Sequence, residues 1–222
     1  MTACILGGIA GYSLLQRLAP MYPFANLPEM GDNPPAALVK QYHEAEYAFQ
    51  SHNAAANCGL LGACIGLFLG LLTVNRRRIL TSMAGGLGGI VGGVVAGYIV
   101  GQYVAYGQIF KSDQSLLMST TYHLAVWASM AIGACLAICA VHPNLRQTGS
   151  ALVSALVAGS LAALVYNIVC TTLYPLANLL LIHQSNANER LVWVASGAGL
   201  LGLVIGLGMR SAAPKTSGVQ AS

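Results

Sequence analysis

The histidines of this chain are its best candidates for binding a metal ion or a haem, because imidazole is a common ligand for both. Four of them fall at helix ends or in loops on one side of the predicted bundle, namely His43, His52, His123 and His183, and only His142 lies at the opposite boundary. His43 and Glu46 are three residues apart and could share a ligand, whereas His52 would face the other side of a helix. We therefore interpret the four histidines as part of an interfacial belt of aromatic side chains and as candidate contacts for a ligand or partner, and we predict no metal and no cofactor.

The six cysteines do not indicate a redox or metal site. Four lie within apolar segments as small packing residues, namely Cys4, Cys64, Cys135 and Cys139. No two cysteines have the spacing of zinc ligands together with a second pair of ligands elsewhere in the sequence. Cys58 and Cys170 fall at the ends of apolar segments on one side of the predicted bundle, where a disulfide is geometrically conceivable if that side is oxidising.

No set of residues in the sequence resembles a catalytic site. There is no Ser, His and Asp set at a common depth, no buried pair of carboxylates, no phosphate loop and no nucleotide-binding fingerprint. The deepest polar residues are Ser82, Gln102, Ser129, Ser154, Ser160 and Asn167. Helices satisfy such hydroxyls and amides by hydrogen bonds to their own or a neighbouring backbone. Because proton and ion pathways usually need ionisable residues at membrane depth, we predict neither an enzyme nor a proton-coupled transporter.

The composition indicates a membrane protein. Of the 222 residues, 56% are hydrophobic and 7% are charged, against roughly 25% charged in soluble domains. Five segments are apolar and near the length that crosses a bilayer, and none contains Asp, Glu, Lys or Arg. They are Asn57–Val74, Ile79–Val104, Leu116–Val141, Gly149–Leu173 and Leu191–Met209. We predict an all-α transmembrane bundle, with residues 1–210 as one domain.

A shorter apolar segment, Ala3–Leu15, precedes these five. It could be a sixth span, a signal anchor or a targeting segment. Because it lacks a basic start and a small-residue cleavage site, we predict a retained helix and about six spans in total.

Charged residues segregate to alternate ends of the predicted spans. Six basic residues and no acid occupy one set of ends: Arg76, Arg77, Arg78, Arg146, Arg210 and Lys215. The other set holds all six acids with four basic residues: Glu29, Asp32, Glu44, Glu46, Asp113, Glu189, Arg17, Lys40, Lys111 and Arg190. By the positive-inside rule the first set faces the cytoplasm. We expect an integral protein of a bacterial inner membrane with both termini cytoplasmic. The net charge of +4 reflects this topology, so we predict no nucleic-acid partner.

Residues 19–56 form the one long segment outside the spans. Three early prolines keep the chain extended, and Asn33 followed by Pro34 and Pro35 predicts a helix start. Apolar residues then recur at helical spacing: Leu38, Tyr42, Ala45, Phe49 and Ala56. Lys40, Glu44 and Gln50 fall on other faces, so we predict an amphipathic helix that lies on the outer surface or runs into the next span. Residues 211–222 are predicted to be a disordered cytoplasmic tail.

Glycines recur every fourth residue along several segments. The longest row is Gly85, Gly89, Gly93, Gly97 and Gly101, with shorter rows at Gly62, Gly66 and Gly70 and at Gly7 and Gly11. Glycine lets two helix backbones approach closely, and this packing is a main source of helix association in lipid. We predict glycine-zipper packing, either within the chain or against a second copy or another membrane protein.

These features favour a non-catalytic structural or accessory subunit. Its partners would be membrane lipids and other integral membrane proteins or further copies of itself. The alternative is a channel or transporter for a small neutral solute, in which glycine faces keep the helices mobile. A continuous polar passage through the bundle would favour the alternative.

Overall fold

The computed structural model describes residues 2–29, 31–71, 78–110, 115–141, 145–175, 178–181 and 186–211. All regular secondary structure in these residues is helical. The helices are α1 (Thr2–Leu18), α2 (Ala36–Leu71), α3 (Arg78–Phe110), α4 (Leu116–Val141), α5 (Leu145–Leu173) and α6 (Ala187–Ser211). The predicted all-α bundle is therefore confirmed. Of the predicted tail, Ser211 is still the last residue of α6, and residues 212–222 lie outside the described part of the chain.

Four helices are long and apolar enough to cross a membrane. They are Ala36–Leu71, Arg78–Phe110, Leu116–Val141 and, within α5, Thr148–Leu173. The remaining two helices are α1, which has 17 residues, and α6. This architecture is consistent with an integral membrane protein.

The six helices form a closed ring. Each helix contacts the next one along the chain, α6 contacts α1, and α2 also reaches across to α4. One cluster of buried side chains has members from every helix and fills the middle of the ring. Its largest fully buried members include Trp127, Trp193, Tyr166, Leu61 and Met130.

The outside of the ring is apolar in the middle of its helices. On α3, Leu87 and Val91 are 62% and 63% exposed, and on α5, Val153 and Ile168 are 62% and 63% exposed. Large contiguous apolar surfaces are unfavourable in water, so this exterior matches a hydrocarbon environment.

The predicted amphipathic helix and the second span are one helix, α2, of 36 residues. Its start differs from the prediction. Helix begins at Ala36, and the Pro35 carbonyl accepts hydrogen bonds from the amides of Leu38 and Val39, so both prolines precede the helix. Gln50, predicted to lie away from the apolar face, is 7% exposed and donates to Glu46 Oε1. The reason is that α3 packs against this part of α2.

The extended segment before α2 packs back along that helix. The backbone amide of Tyr22 donates to Asn53 Oδ1, and Asn53 Nδ2 donates to the Tyr22 carbonyl. The Phe24 ring contacts Phe49 edge to face at 5.6 Å. The fully buried Asn53 therefore fixes the segment to α2 through its backbone.

We call the end of the ring where α1, α3 and α5 finish the acidic end. The described acids Glu29, Asp32, Glu44, Glu46 and Glu189 all lie in or next to the segments that meet there. The opposite end, where α3 starts at Arg78, is the basic end.

Candidate functional sites: glycine seams and the His123 cluster

The glycine row of α3 faces α2 along almost its whole length. A Cβ atom added at Gly85, Gly89 or Gly93 would lie closer than 3.0 Å to the backbone of α2. The same is true of Gly97 and Gly101. The two backbones therefore approach more closely than any side chain would allow, and this approach suits weak Cα–H···O contacts.

The partners on α2 are small residues at steps of three or four residues. From the acidic end to the basic end they are Ser51, Ala54, Cys58, Gly62, Gly66 and Gly70. Gly62 faces the Gly89 backbone, Gly66 faces that of Gly85, and Gly70 faces Ser82. We call this contact the α2–α3 seam. It brings together eight of the ten predicted glycines within one chain.

A second seam joins α3 to α4 on another side of the α3 helix. A Cβ at Gly88 would meet the Gly133 backbone, and one at Gly92 would meet the Ser129 backbone. On α1, Gly7 faces the backbone of Cys64 and Ile65, and Gly11 faces Leu61. The two remaining predicted glycines, Gly7 and Gly11, therefore also pack against α2.

The three candidate histidines that the structure describes are not brought together. His43 lies 5.9 Å from the Phe110 ring, and the exposed His52 lies 5.3 Å from Tyr22. His183 lies outside the described residues. Among those described, no group of three His, Cys, Asp or Glu side chains could hold a metal ion.

His123 was predicted to belong to the interfacial belt, and this prediction is wrong. The side chain is fully buried between α4, α5 and α6 at the acidic end. Its Nε2 atom lies 2.8 Å from the Leu179 carbonyl, and its Nδ1 atom lies 3.0 Å from Trp193 Nε1. Trp193 is 1% exposed because its indole packs in the same interior.

These two hydrogen bonds define the protonation of the His123 ring. The indole N–H of Trp193 can only donate, so His123 Nδ1 must accept. The single ring proton then resides on Nε2, which donates to the Leu179 carbonyl. Both nitrogens are occupied, so the neutral ring has no free lone pair for a metal.

Hydroxyl and amide groups continue this cluster towards α5. Ser119 Oγ lies 2.8 Å from both Asn167 Oδ1 and the Leu179 carbonyl, and its one proton serves either acceptor. Asn167 Nδ2 donates to Thr120 Oγ1 at 2.8 Å. The His123 cluster, as we call His123, Trp193, Ser119, Asn167 and Thr120, thus attaches the segment 178–181 to the bundle interior.

Two buried tryptophans complete the interior beside this cluster. The rings of Trp127 and Trp193 lie 4.9 Å apart. A Cβ at Gly197 would overlap the Trp127 ring, so that glycine makes room for the indole. Trp127 Nε1 and Asn57 Oδ1 are the buried side-chain atoms in the described part of the chain with no hydrogen-bond partner.

Arg190 was predicted to lie at an outer end of a span, and it lies in the first turn of α6, where it is only 9% exposed. Its Nη1 atom donates to the Leu15 carbonyl in the last turn of α1 at 3.0 Å. A cation is favourable at the carboxyl end of a helix because of the helix dipole. Arg190 therefore helps to close the ring between α6 and α1.

The six cysteines are all free thiols, including Cys58 and Cys170. Cys58 is in the α2–α3 seam against Gly93, while Cys170 is buried on α5. The conceivable disulfide is thus not formed.

The geometry defines a class: an all-helical bundle with four helices that can cross a membrane, held by close backbone seams and one buried polar cluster. No family model matches the chain, and no curated protein or solved structure matches it.

Proposed function

We propose that the chain is a non-catalytic integral membrane subunit, structural or accessory in role, that binds other integral membrane proteins or a second copy of itself. The observation that carries the proposal is the filled centre of the ring. Trp127, Met130, Leu61, Ile65 and Leu201 are each at most 2% exposed there. An interior of this kind is suited to holding helices together and leaves little space for a solute.

All six helices cross the membrane in this proposal. Cys4 of α1 and Ile205 of α6 are 0% and 1% exposed and belong to the same buried cluster as residues of the four longer helices. Both short helices therefore complete one ring. The basic end faces the cytoplasm of a bacterial inner membrane, with both termini on that side.

The contact with a partner is expected away from the α2–α3 seam, because the seam glycines already face backbone of their own chain. A groove of about 530 Å³ between α1 and α6 remains open. Small residues on its wall include Gly8, Ser13, Ala195, Ala198 and Gly199. A transmembrane helix of a partner would find there a surface of the type that favours close helix packing.

Channel or transporter activity for a small neutral solute is the alternative. Its support is weaker, since the polar groups of the His123 cluster are bonded to one another and to the Leu179 carbonyl. Reconstituted protein that speeds glycerol or urea flux across vesicles would favour the alternative.

Two matched glycine substitutions test the proposal. Nothing lies within 4 Å of a Cβ added at Gly199 or at Gly149, so leucine should fit at both positions in the isolated chain. Only Gly199 lines the α1–α6 groove. After purification in mild detergent, native mass spectrometry should show a complex that Gly199→Leu dissociates and Gly149→Leu retains, with equal melting temperatures. A wild-type chain that elutes alone, or a complex that both variants keep, would contradict the proposed groove contact.

A further inference from the structure

A second cavity, of about 430 Å³, lies at the acidic end between α2, α3 and α4. Its described wall consists of Tyr47, Gln102, Tyr103, Tyr106, Met118 and Tyr122. Four of these six residues are tyrosines. The volume lies in the range of small-molecule sites, roughly 300–1,000 Å³.

The tyrosines present ring surface to the cavity. Tyr103 and Tyr122 are nearly parallel, with ring centroids 6.3 Å apart and an angle of 29° between their planes. Tyr122 is buried, whereas Tyr103 and Tyr106 are 59% and 52% exposed at the mouth. The wall is almost entirely carbon. A cation that lies over the face of a tyrosine ring is attracted by the electrons of that ring.

The surroundings favour a positive ligand as well. Glu44 and Glu46 lie on α2 within one turn of Tyr47, and Lys40, the nearest described base on that helix, pairs with Glu44 at 3.7 Å. None of the six described wall residues is charged. A cation would therefore enter from an acidic surface into an aromatic pocket whose described wall carries no positive charge.

The wall also distinguishes between kinds of cation. A primary ammonium group has three N–H donors and needs acceptors, and the wall offers them only at Gln102 and the tyrosine hydroxyls. A trimethylammonium group has no donor, and its methyl groups suit carbon walls. We propose that this tyrosine cavity binds a quaternary ammonium group, carried either by a lipid headgroup or by a free small molecule. This inference goes beyond the proposed subunit role and does not depend on it.

Choline and its neutral isostere 3,3-dimethyl-1-butanol provide a direct test, because they share shape and differ in charge. Titration calorimetry of the full chain in a choline-free maltoside detergent should show choline binding at least about tenfold tighter than the isostere. Equal binding of the two compounds, or binding of neither, would overturn the proposal.

Variants separate the ring face from general packing. Tyr103→Leu and Tyr106→Leu should each weaken choline binding about tenfold, while Tyr103→Phe should preserve it because the ring remains. Tyr98→Leu is the matched control, since Tyr98 is an exposed α3 tyrosine outside the cavity. A melting curve for each variant checks folding. Unchanged choline affinity in folded Tyr103→Leu and Tyr106→Leu would contradict the proposal.

The same protein in lipid nanodiscs identifies the source of the group. If a lipid headgroup is the ligand, phosphatidylcholine discs should compete with free choline, and native mass spectrometry should show phosphatidylcholine retained by the wild type and lost from Tyr103→Leu. If a free molecule is the ligand, choline affinity should be equal in phosphatidylcholine and phosphatidylglycerol discs. Either result supports a quaternary ammonium site, and absence of choline binding in both kinds of disc contradicts it.

Discussion

The hydrogen bonds of His123 tie three separate parts of the chain together at one residue. Its ring accepts from Trp193 of α6 and donates to the carbonyl of Leu179, while His123 itself belongs to α4. Buried polar groups are costly when a partner is removed, because the remaining donor or acceptor keeps its desolvation penalty. The burial of His123 thus gives this histidine a structural role.

We expect His123→Phe to lower stability. The substitution leaves the Trp193 N–H without its acceptor, at a cost of about 1–3 kcal/mol, whereas the Leu179 carbonyl keeps the Ser119 hydroxyl as a donor. The melting temperature in detergent should fall clearly. His52→Phe is the control, because His52 is exposed and should change the temperature little. Equal melting temperatures of the two variants would show that the hydrogen bonds of His123 do not stabilise the bundle.

Among the described helices, the α2–α3 seam is the most extensive contact, and its effect on stability depends on two opposing terms. An alanine in place of a helical glycine normally stabilises a helix by up to about 1 kcal/mol. At Gly93 the added methyl group would meet the Cys58 backbone at less than 3.0 Å. Overpacking of this kind typically costs about 1–3 kcal/mol, so the steric effect should exceed the propensity gain.

Gly93→Ala should therefore lower the melting temperature of the monomer, and Gly93→Leu should lower it further. The matched control is Gly149→Ala, which has no atom within 4 Å of its new methyl group and lies on α5. It should leave the melting temperature unchanged or raise it. If the Gly93→Ala monomer melts at the same temperature as the Gly149→Ala monomer, the α2–α3 seam tolerates an added methyl group, which would contradict the prediction.

The helices could be predicted from the sequence because each depends on a local pattern of apolar residues with turn-forming residues between them. The pairing of the helices with one another could not be predicted. The spacing of Gly85 to Gly101 indicates a face for close approach, but nothing local says that this face meets Ser51 to Gly66 of the same chain. The difference between a contact within the chain and one between chains arises only from tertiary structure.

The same limit explains the residues of the interior that were missed. His123 and Trp193 stand near helix ends in sequence, where amphipathic rings usually sit at an interface. Their burial depends on the segment 178–181 folding back over them, and Leu180 in that segment is 2% exposed. Arg190 was missed for a related reason, because its acceptor is 175 residues away on α1.

In the proposed membrane arrangement of the whole molecule, the outer surface of the closed ring meets hydrocarbon and its centre is packed. Four helices meet the length and apolarity of membrane spans, and α1 and α6 complete the same ring. If the ring stands in a bilayer as one unit, α1 and α6 must cross as well. Six crossings then place the two termini on one side and the acidic end on the other.

Labelling of single introduced cysteines with a membrane-impermeant maleimide in intact cells shows whether all six helices cross the membrane. Five of the native cysteines are buried and Cys139 is half-buried, so the unmodified chain gives the background. The introduced sites are Thr2, Asp32, Asn75, Asp113, Gln147, Asn188 and Lys215. We expect the cysteines at Asp32, Asp113 and Asn188 to react, and the other four to react only after the cells are permeabilised.

Two comparisons decide the number of crossings. Thr2 and Asp32 should differ because α1 separates them, and Asn188 and Lys215 should differ because α6 does. The opposite labelling pattern at all seven sites would mean an inverted orientation with the same six spans. Equal reactivity of Thr2 and Asp32, or of Asn188 and Lys215, would contradict the six-span bundle.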